Sequence, residues 1–354
     1  MSELLKLYNE ERLAVHQAKE LTPHLDMVDG ASLMTTKFDE LRQPVKGLVV
    51  EGLTLLCGGS KLGKSWLVLS MCCAVASGKL FLGKSTEQGE VLYLALEDSK
   101  RRLQKRLEKL GCVVPAALKV AVNAPTVDGG LINLLEGWVT SANNPQMIVI
   151  DTLAKVRDGS VSSKGNMYQN EYDGMGQLKR FADRNHIALV LVHHLNKQKD
   201  ASDPYERISG SNALMGAADT TMLLFRERNS NDARLSFVGR DVWGDDILLR
   251  MNDGKWSVIS EEAAARERYE NDKVVHLCRA LVQESFGKQV QITTQAFIDA
   301  GVQRYREQLA SSTGEMNKRL QELAPMLSEY DGISLDMGKK VGTARGFWIR
   351  KVGA

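Results

Sequence analysis

Residues 58 to 65 read GGSKLGKS and fit the spacing G-x4-G-K-S, between an apolar run typical of a strand and one typical of a helix. Glycines let a backbone wrap around a phosphate with its N–H groups pointing inward, and the following helix adds its positive end. A chance glycine-rich turn is the alternative, which the complete strand–loop–helix context disfavours. In this arrangement the lysine meets the β- and γ-phosphates and the serine hydroxyl can bind Mg²⁺. The pattern predicts an ATP site formed by Gly58, Gly59, Ser60, Lys61, Leu62, Gly63, Lys64 and Ser65.

Three more polar residues follow the ends of apolar runs. Asp151 ends MIVID and is expected to hold Mg²⁺ together with Ser65. Glu97 follows the strand after the loop helix and is predicted to orient or deprotonate a water; a helix cap is the alternative, but the two residues after it suit a cap better. His194 ends IALVLVHH and is predicted to contact the γ-phosphate, with a histidine satisfied in the core as the alternative. Because the carboxyl ends of parallel strands share one edge of a sheet, all are expected near Lys64.

The elements that must position these residues alternate along the chain. From Gly47, strands that are apolar on both faces alternate with helices, which predicts an α/β fold with a mostly parallel sheet covered on both sides. Three closely spaced strands after position 219 predict an antiparallel extension. We expect a helical lead-in over 1–45, the α/β domain over 46–257 and a linker over 258–272. Residues 273–354 predict three helices and a hairpin, as in a small winged-helix-like domain.

Composition limits the class of protein. Of 354 residues, 43% are hydrophobic and the net charge is +2, which indicates a folded chain and excludes a strongly basic coat protein or an acidic tail. No apolar run approaches the roughly 18 residues of a membrane span, and the first twenty residues lack a signal-peptide pattern. Five cysteines without a C-x-x-C pair favour buried thiols over disulfides or a zinc site. A cytoplasmic protein without a membrane partner is predicted.

Together these motifs resemble those of RecA-like P-loop ATPases, and among them the hexameric replicative helicases of the DnaB and plasmid RepA type, over roughly residues 45–255. GGSKLGKS is similar to their Walker A motif and MIVIDTL to Walker B, and Glu97 stands where the family keeps its catalytic glutamate. VHHLNK resembles S-Q-L-N-R, with His194 in place of glutamine, as in RepA-type members.

The later motifs bear on assembly. FVGRDVWGDD lies where DnaB-type proteins have K-x-R-N-G-x-T-G, so Arg240 matches the arginine supplied to a neighbour's ATP, while Val238 replaces the lysine. An ordinary surface arginine at a turn is the alternative for Arg240. The resemblance implies a RecA-like P-loop core that uses ATP and Mg²⁺ in a homo-oligomer, expected to be a hexamer, around single-stranded DNA. Because no primase or zinc module is seen, it also implies a primase or initiator partner.

Two segments after the sheet edge are basic and rich in small residues, which suits a phosphate backbone, although solvated loops are the alternative. The candidate nucleic-acid contacts are Lys155, Arg157, Lys164, Lys197, Lys199 and Arg207. The last sixteen residues carry five basic side chains and no acid, which favours a grip on a duplex or fork over a solvated hairpin or a surface for a protein partner.

The sequence therefore predicts a Mg²⁺-ATP-dependent oligomeric motor on single-stranded DNA, as a replicative helicase of a plasmid, phage or other mobile element. One alternative is a RecA-like recombinase or strand-loading ATPase that forms filaments. Another, from a different class, is a DNA-binding regulator that ATP switches between conformations.

Overall fold

A computed structural model describes residues 27–111, 114–157, 167–195, 211–226, 230–244, 246–286 and 288–352, without the side chains of 167–172 and 211–213. The chain divides into two compact units, the second beginning at Arg42. In the first unit, helix α1 (Gly30–Thr35) begins at Asp29, whose carboxylate accepts a hydrogen bond from the Ser32 N–H. No helix in the described ranges is long and apolar enough to cross a membrane.

The second unit contains a nine-stranded sheet in the order β3-β2-β4-β5-β1-β6-β7-β8-β9. Neighbouring strands are parallel from β3 to β6, and β7, β8 and β9 continue antiparallel, so the predicted mostly parallel sheet with an antiparallel extension is confirmed. The strands are β1 (Gly52–Gly58), β2 (Glu90–Ala95), β3 (Leu118–Ala121), β4 (Pro145–Asp151), β5 (Ala188–His194), β6 (Thr220–Arg226), β7 (Asp232–Gly239), β8 (Ile247–Asn252) and β9 (Lys255–Val258).

Helices cover both faces of this sheet: α2 (Lys64–Ser77), α3 (Lys100–Leu110), α4 (Ile132–Ser141), α5 (Met167–Arg184) and α6 (Ser211–Ala217). One core cluster joins Leu56 of β1 to Val68 of α2, and the other joins Leu55 of β1 to Phe181 of α5. Since successive side chains of a strand point to opposite faces, each central strand contributes to both cores. This double burial explains why the strands read as apolar throughout.

Residues beyond the sheet form α7 (Glu261–Glu270), which lies in the predicted linker, followed by a separate core cluster. Its elements are α8 (Lys273–Glu284), β10 (Val290–Thr293), α9 (Thr294–Tyr305), α10 (Thr313–Asp331), β11 (Ile333–Val341) and β12 (Ala344–Lys351). The sequence predicted the three helices and the hairpin, and the structure adds β10, which pairs with β12 in a sheet of order β10-β12-β11. The winged-helix-like interpretation and the bounds of the four predicted segments stay predictions.

Candidate nucleotide-binding site

The carboxyl ends of four adjacent strands meet at one edge of the sheet. β1 runs into the glycine-rich loop, β4 ends at Asp151, β5 ends at His194, and Glu97 follows β2 by two residues. The strand register places Asp151 opposite Ala95, and His194 opposite Gly58. The structure thereby brings Lys64, Glu97, Asp151 and His194 together in the wall of one cavity of about 500 Å³.

The loop between β1 and α2 depends on Gly63. Gly63 has φ 97°, a left-handed conformation, and its carbonyl accepts a hydrogen bond from Trp256 Nε1 at 3.1 Å. A Cβ at this position would lie 2.9 Å from both the Met251 sulfur and a Trp256 ring carbon. Only glycine meets both the steric and the conformational demand, and Gly63 is the N-cap of α2, whose first residues line the cavity.

Lys64 lies inside this loop with 4% of its surface exposed. Its Nζ donates to the carbonyls of Gly58 (2.7 Å) and Gly59 (2.8 Å) and lies 3.1 Å from Nδ1 of His194. Burial lowers the pKa of Lys64 to about 8, although the carboxylates of Asp151 and Glu97 oppose the shift. The three N–H groups of the Lys64 ammonium are therefore directed at the two carbonyls and at His194.

His194 connects Lys64 to Glu97. An ammonium can only donate, so Nδ1 of a neutral His194 accepts and the ring proton lies on Nε2. Nε2 faces Glu97 at 4.0 Å, and the other oxygen of Glu97 accepts a hydrogen bond from the Thr152 hydroxyl at 3.2 Å. Burial and the charge of Lys64 lower the pKa of His194, which favours this neutral form.

Asp151 is buried at the base of the cavity and accepts a hydrogen bond from the Tyr93 hydroxyl at 2.9 Å. Burial raises the pKa of Asp151, while hydrogen bonds from Ser65 and Tyr93 act in the opposite direction. A carboxylate beside a serine hydroxyl provides the hard oxygen ligands that Mg²⁺ prefers, and phosphate and water would complete its octahedron. The donor set therefore fits the predicted magnesium site.

Sequence reasoning missed part of the cavity wall. Asp98 is 7% exposed and holds two arginines, Arg102 at 3.0 Å and Arg106. Arg106 also lies over the Trp66 ring, 5.3 Å from its centroid, and all four residues line the cavity. Arg106 is the less exposed of the two arginines, with a side chain that is 19% exposed against 60% for Arg102. The signal was present, because Arg102 and Arg106 are four residues apart on one face of the helix and follow Asp98 by four and eight residues.

Arg240 is not brought to this cavity. Its backbone N–H bonds the carbonyl of Asp219, and its guanidinium lies 3.4 Å from the Asp219 carboxylate. Asp219 in turn accepts from the N–H of Leu53, at the start of β1. Since the glycine-rich loop follows the other end of β1, about 20 Å away along the strand, Arg240 lies at the opposite edge of the sheet from its own chain's loop.

The predicted nucleic-acid contacts are only partly described. Lys155 ends a short 3₁₀ turn (Leu153–Lys155) directly after β4 and is exposed, and Arg157 is half-buried two residues later. Lys164, Lys197, Lys199 and Arg207 lie outside the described residues.

A mostly parallel sheet with a phosphate loop after its central strand, a buried aspartate ending a neighbouring strand and a glutamate after the next defines a RecA-like P-loop ATPase. Comparison with known families agrees: the AAA domain family matches residues 17–200, just over half of the chain. The chain therefore belongs to this AAA domain family.

The sequence identity between this chain and its curated relatives is low. It is 27% identical to the DNA repair protein RadA of Synechocystis over 57% of this chain and 39% of the relative. It is 22% identical to RadA of Salmonella typhimurium and of Escherichia coli, over 85% of this chain and 60% of each relative. The chain thus spans about two fifths to three fifths of the length of these relatives.

Two solved structures are similar to this chain in fold. One, described as an ATPase domain, has a TM-score of 0.48 at 13% identity, covering 59% of this chain and 85% of that one. A DnaB-like replicative helicase, described with its interactions with primase, has a TM-score of 0.48 at 14% identity, covering 59% and 57%.

Proposed function

We propose that this chain is a Mg²⁺-ATP-dependent oligomeric motor on single-stranded DNA and that it unwinds duplex DNA as a replicative helicase. The observation that carries the proposal is the convergence of Lys64, Glu97, Asp151 and His194 on one cavity at the end of β1. Its assignment to a plasmid, phage or other mobile element rests on the motif resemblance and is the finer part of the same proposal.

In hydrolysis, the loop N–H groups and Lys64 hold the β- and γ-phosphates. Lys64 exchanges its bonds to the Gly58 and Gly59 carbonyls for bonds to phosphate oxygens. Glu97 is 48% exposed and lies on the cavity wall, where it orients a water and accepts its proton during attack on the γ-phosphorus. Mg²⁺, held by Ser65 and Asp151, would neutralise the charge that develops on the phosphates.

His194 acts as a phosphate sensor in this proposal. In the structure it depends on Lys64 for the hydrogen bond at Nδ1. When Lys64 turns to a phosphate, His194 loses that donor and changes partner. Because His194 ends β5, the change passes directly to the segment that follows, which carries the candidate DNA contacts Lys197 and Lys199.

A repair ATPase is the second candidate, and the sequence similarity to RadA proteins supports it. In this form the same ATP site drives strand loading or strand pairing. Both candidates share ATP hydrolysis stimulated by single-stranded DNA and differ in what happens to the strands.

The decisive experiment measures ATP turnover with and without single-stranded DNA, beside the native mass of the assembly. We expect stimulation by DNA, a hexameric mass and strand displacement from a forked duplex; filaments with strand pairing would select the repair ATPase instead. Lys64→Ala removes the charge at the loop and should abolish turnover. Near-normal turnover in Lys64→Ala would refute the nucleotide site itself.

A further inference from the structure

The hairpin formed by β11 and β12 carries five basic side chains and one acidic side chain, Asp336. Lys340 and Arg345 are exposed and directly opposite each other in the strand register, near the hairpin tip. Like charges at opposed positions of a hairpin destabilise it. We expect such a pair of like charges where a bound anion neutralises the repulsion between them.

The remaining charges of the hairpin extend this arrangement along β12. Arg350 and Lys351 are exposed, and neither they nor Lys340 and Arg345 form an ion pair within the ranges that the structure describes. Lys339 alone has an acidic partner, Asp336 at 3.1 Å. Arg345 and Lys351 lie on one face of β12, six steps or about 20 Å of extended chain apart, and Arg350 lies on the other face. Over this length a duplex presents a dense row of phosphates.

The third helix of this region has the opposite character. The exposed positions of α10 include Glu315, Glu322 and Glu329 against a single lysine, Lys318. Arg319 is half-buried and bound to Asp272 at 3.0 Å. A helix with this face repels a phosphate backbone, so the hairpin and not α10 is the surface for an anion.

Exposed aromatic side chains indicate whether a basic surface binds duplex or single-stranded DNA. Binding of single strands depends on exposed aromatic rings on which bases stack. The hairpin's exposed face offers Trp348, but Lys339 lies over this ring at 5.1 Å from its centroid. With the Trp348 ring covered, the hairpin itself has charge for phosphates and no open ring for bases, and the exposed Phe286, which lines a cavity with Lys351, is tested separately.

We infer that the β11–β12 hairpin binds the phosphate backbone of duplex DNA, independently of base sequence. Phe347 and Ile349 are buried and anchor the base of the hairpin in the core, while Gly342 at φ 62° allows the tight turn at the tip. In the proposed motor this contact would hold the duplex beside the single strand. The inference goes beyond the ATP site, and its test needs no nucleotide.

The test compares charge-neutral variants by fluorescence anisotropy with a 30-base-pair duplex and a 30-nucleotide single strand, where about 30 positions exceed the hairpin's span. Lys340→Gln/Arg345→Gln should weaken duplex binding on the order of tenfold and reduce the slope of log affinity against log salt by about 2. Lys340→Arg/Arg345→Lys should restore both. The matched control Arg306→Gln/Lys318→Gln removes two exposed charges from α10 and the end of α9 and should change neither.

Three results would overturn the inference. One is duplex binding unchanged in the hairpin variant, and another is a larger loss in the helix control. The third is a wild-type protein that does not bind the duplex but binds polyglutamate, which would assign the hairpin to an acidic protein.

Phe286, 94% exposed, provides a further check, since Phe286→Ala should leave duplex binding unchanged. Basal ATP turnover should be normal in the hairpin variants, so failure of the motor proposal is read separately.

Discussion

Glu97 and Asp98 are neighbours in the chain with different surroundings. The side chain of Glu97 is half exposed, and its carboxylate accepts a hydrogen bond from the Thr152 hydroxyl and lies 4.0 Å from Nε2 of His194. The side chain of Asp98 is 7% exposed and forms ion pairs with Arg102 and Arg106. A general base needs access to water and must be free to accept a proton, and only Glu97 meets both conditions.

Glu97→Gln should therefore stall hydrolysis while nucleotide still binds. The amide keeps the shape of the side chain but loses the base, and turnover should fall on the order of 10²- to 10⁴-fold. Affinity for a fluorescent ATP analogue and turnover are measured on the same samples. The matched control Asp98→Asn releases the two arginines of the cavity wall and should lower affinity and melting temperature more than turnover at saturation. Equal loss of affinity and turnover in Glu97→Gln would show a structural residue.

The pKa of His194 reports on the chain from Lys64 to Glu97. It is lowered by burial and by Lys64, and Glu97 opposes the shift. Lys64→Met should therefore raise this pKa and Glu97→Gln should lower it, as followed by NMR titration of the ring, with His194→Gln as the assignment control. Because the folded pKa lies below the unfolded value, the unfolded chain binds more protons in acid. The stability contributed by His194 should then decline as pH falls through about 6.5. Shifts of the His194 pKa in the same direction in Lys64→Met and Glu97→Gln would contradict the contacts described for this ring.

At the scale of elements, the turn between β1 and α2 determines the site. Gly63→Ala meets two costs, a left-handed φ and the contacts of its Cβ with Met251 and Trp256. Gly83→Ala is the matched control, because Gly83 has φ 78° and no atom lies within 4 Å of the position that a Cβ would take. We expect the control to lose about 1 kcal/mol of unfolding free energy in urea, and Gly63→Ala clearly more, together with nucleotide binding. Equal losses would show that the packing against Gly63 is not tight.

The long elements of the fold were predictable because their signals are local. Apolar runs predicted the central strands, and the glycines that follow two helical runs, Gly78 and Gly111, are left-handed C-caps. β3, β9 and β10 were missed. Each has four residues and is partly exposed, β3 and β10 form only by pairing with a strand distant in sequence, and β9 forms only by pairing with β8. No local pattern marks such a strand.

The site was predictable to the same degree. Strand ends placed Lys64, Glu97, Asp151 and His194 together, because one rule of parallel sheets covers them all. Tyr93 and Arg106 were missed because their roles depend on side-chain direction. A tyrosine inside the apolar run EVLYLALED was the available signal, since its buried hydroxyl needs a polar partner, and Asp151 is that partner.

At the scale of the whole molecule, the two edges of the sheet divide the candidate catalytic residues. Lys64 and Glu97 lie at the edge of the sheet where β1 and β2 end, and Arg240 lies at the opposite edge, where β1 begins. The two edges are about 20 Å apart along β1. Within one subunit Arg240 therefore does not reach the phosphates. Its 64% exposed side chain is available either to a neighbouring subunit or to its ion pair with Asp219 alone.

Arg240→Ala separates these two roles. The exposed ion pair with Asp219 contributes at most about 1 kcal/mol, so the variant should fold and bind nucleotide. If Arg240 serves a neighbour's ATP, turnover falls about 10³-fold. Equal mixing with Glu97→Gln subunits then restores activity, because in a head-to-tail ring about a quarter of interfaces join an intact Glu97 to an intact Arg240. Mixtures are assayed after subunit exchange, with each inactive parent as control. A mixture as inactive as its parents would place both residues outside any shared interface and favour an ATP-switched monomer over a ring motor.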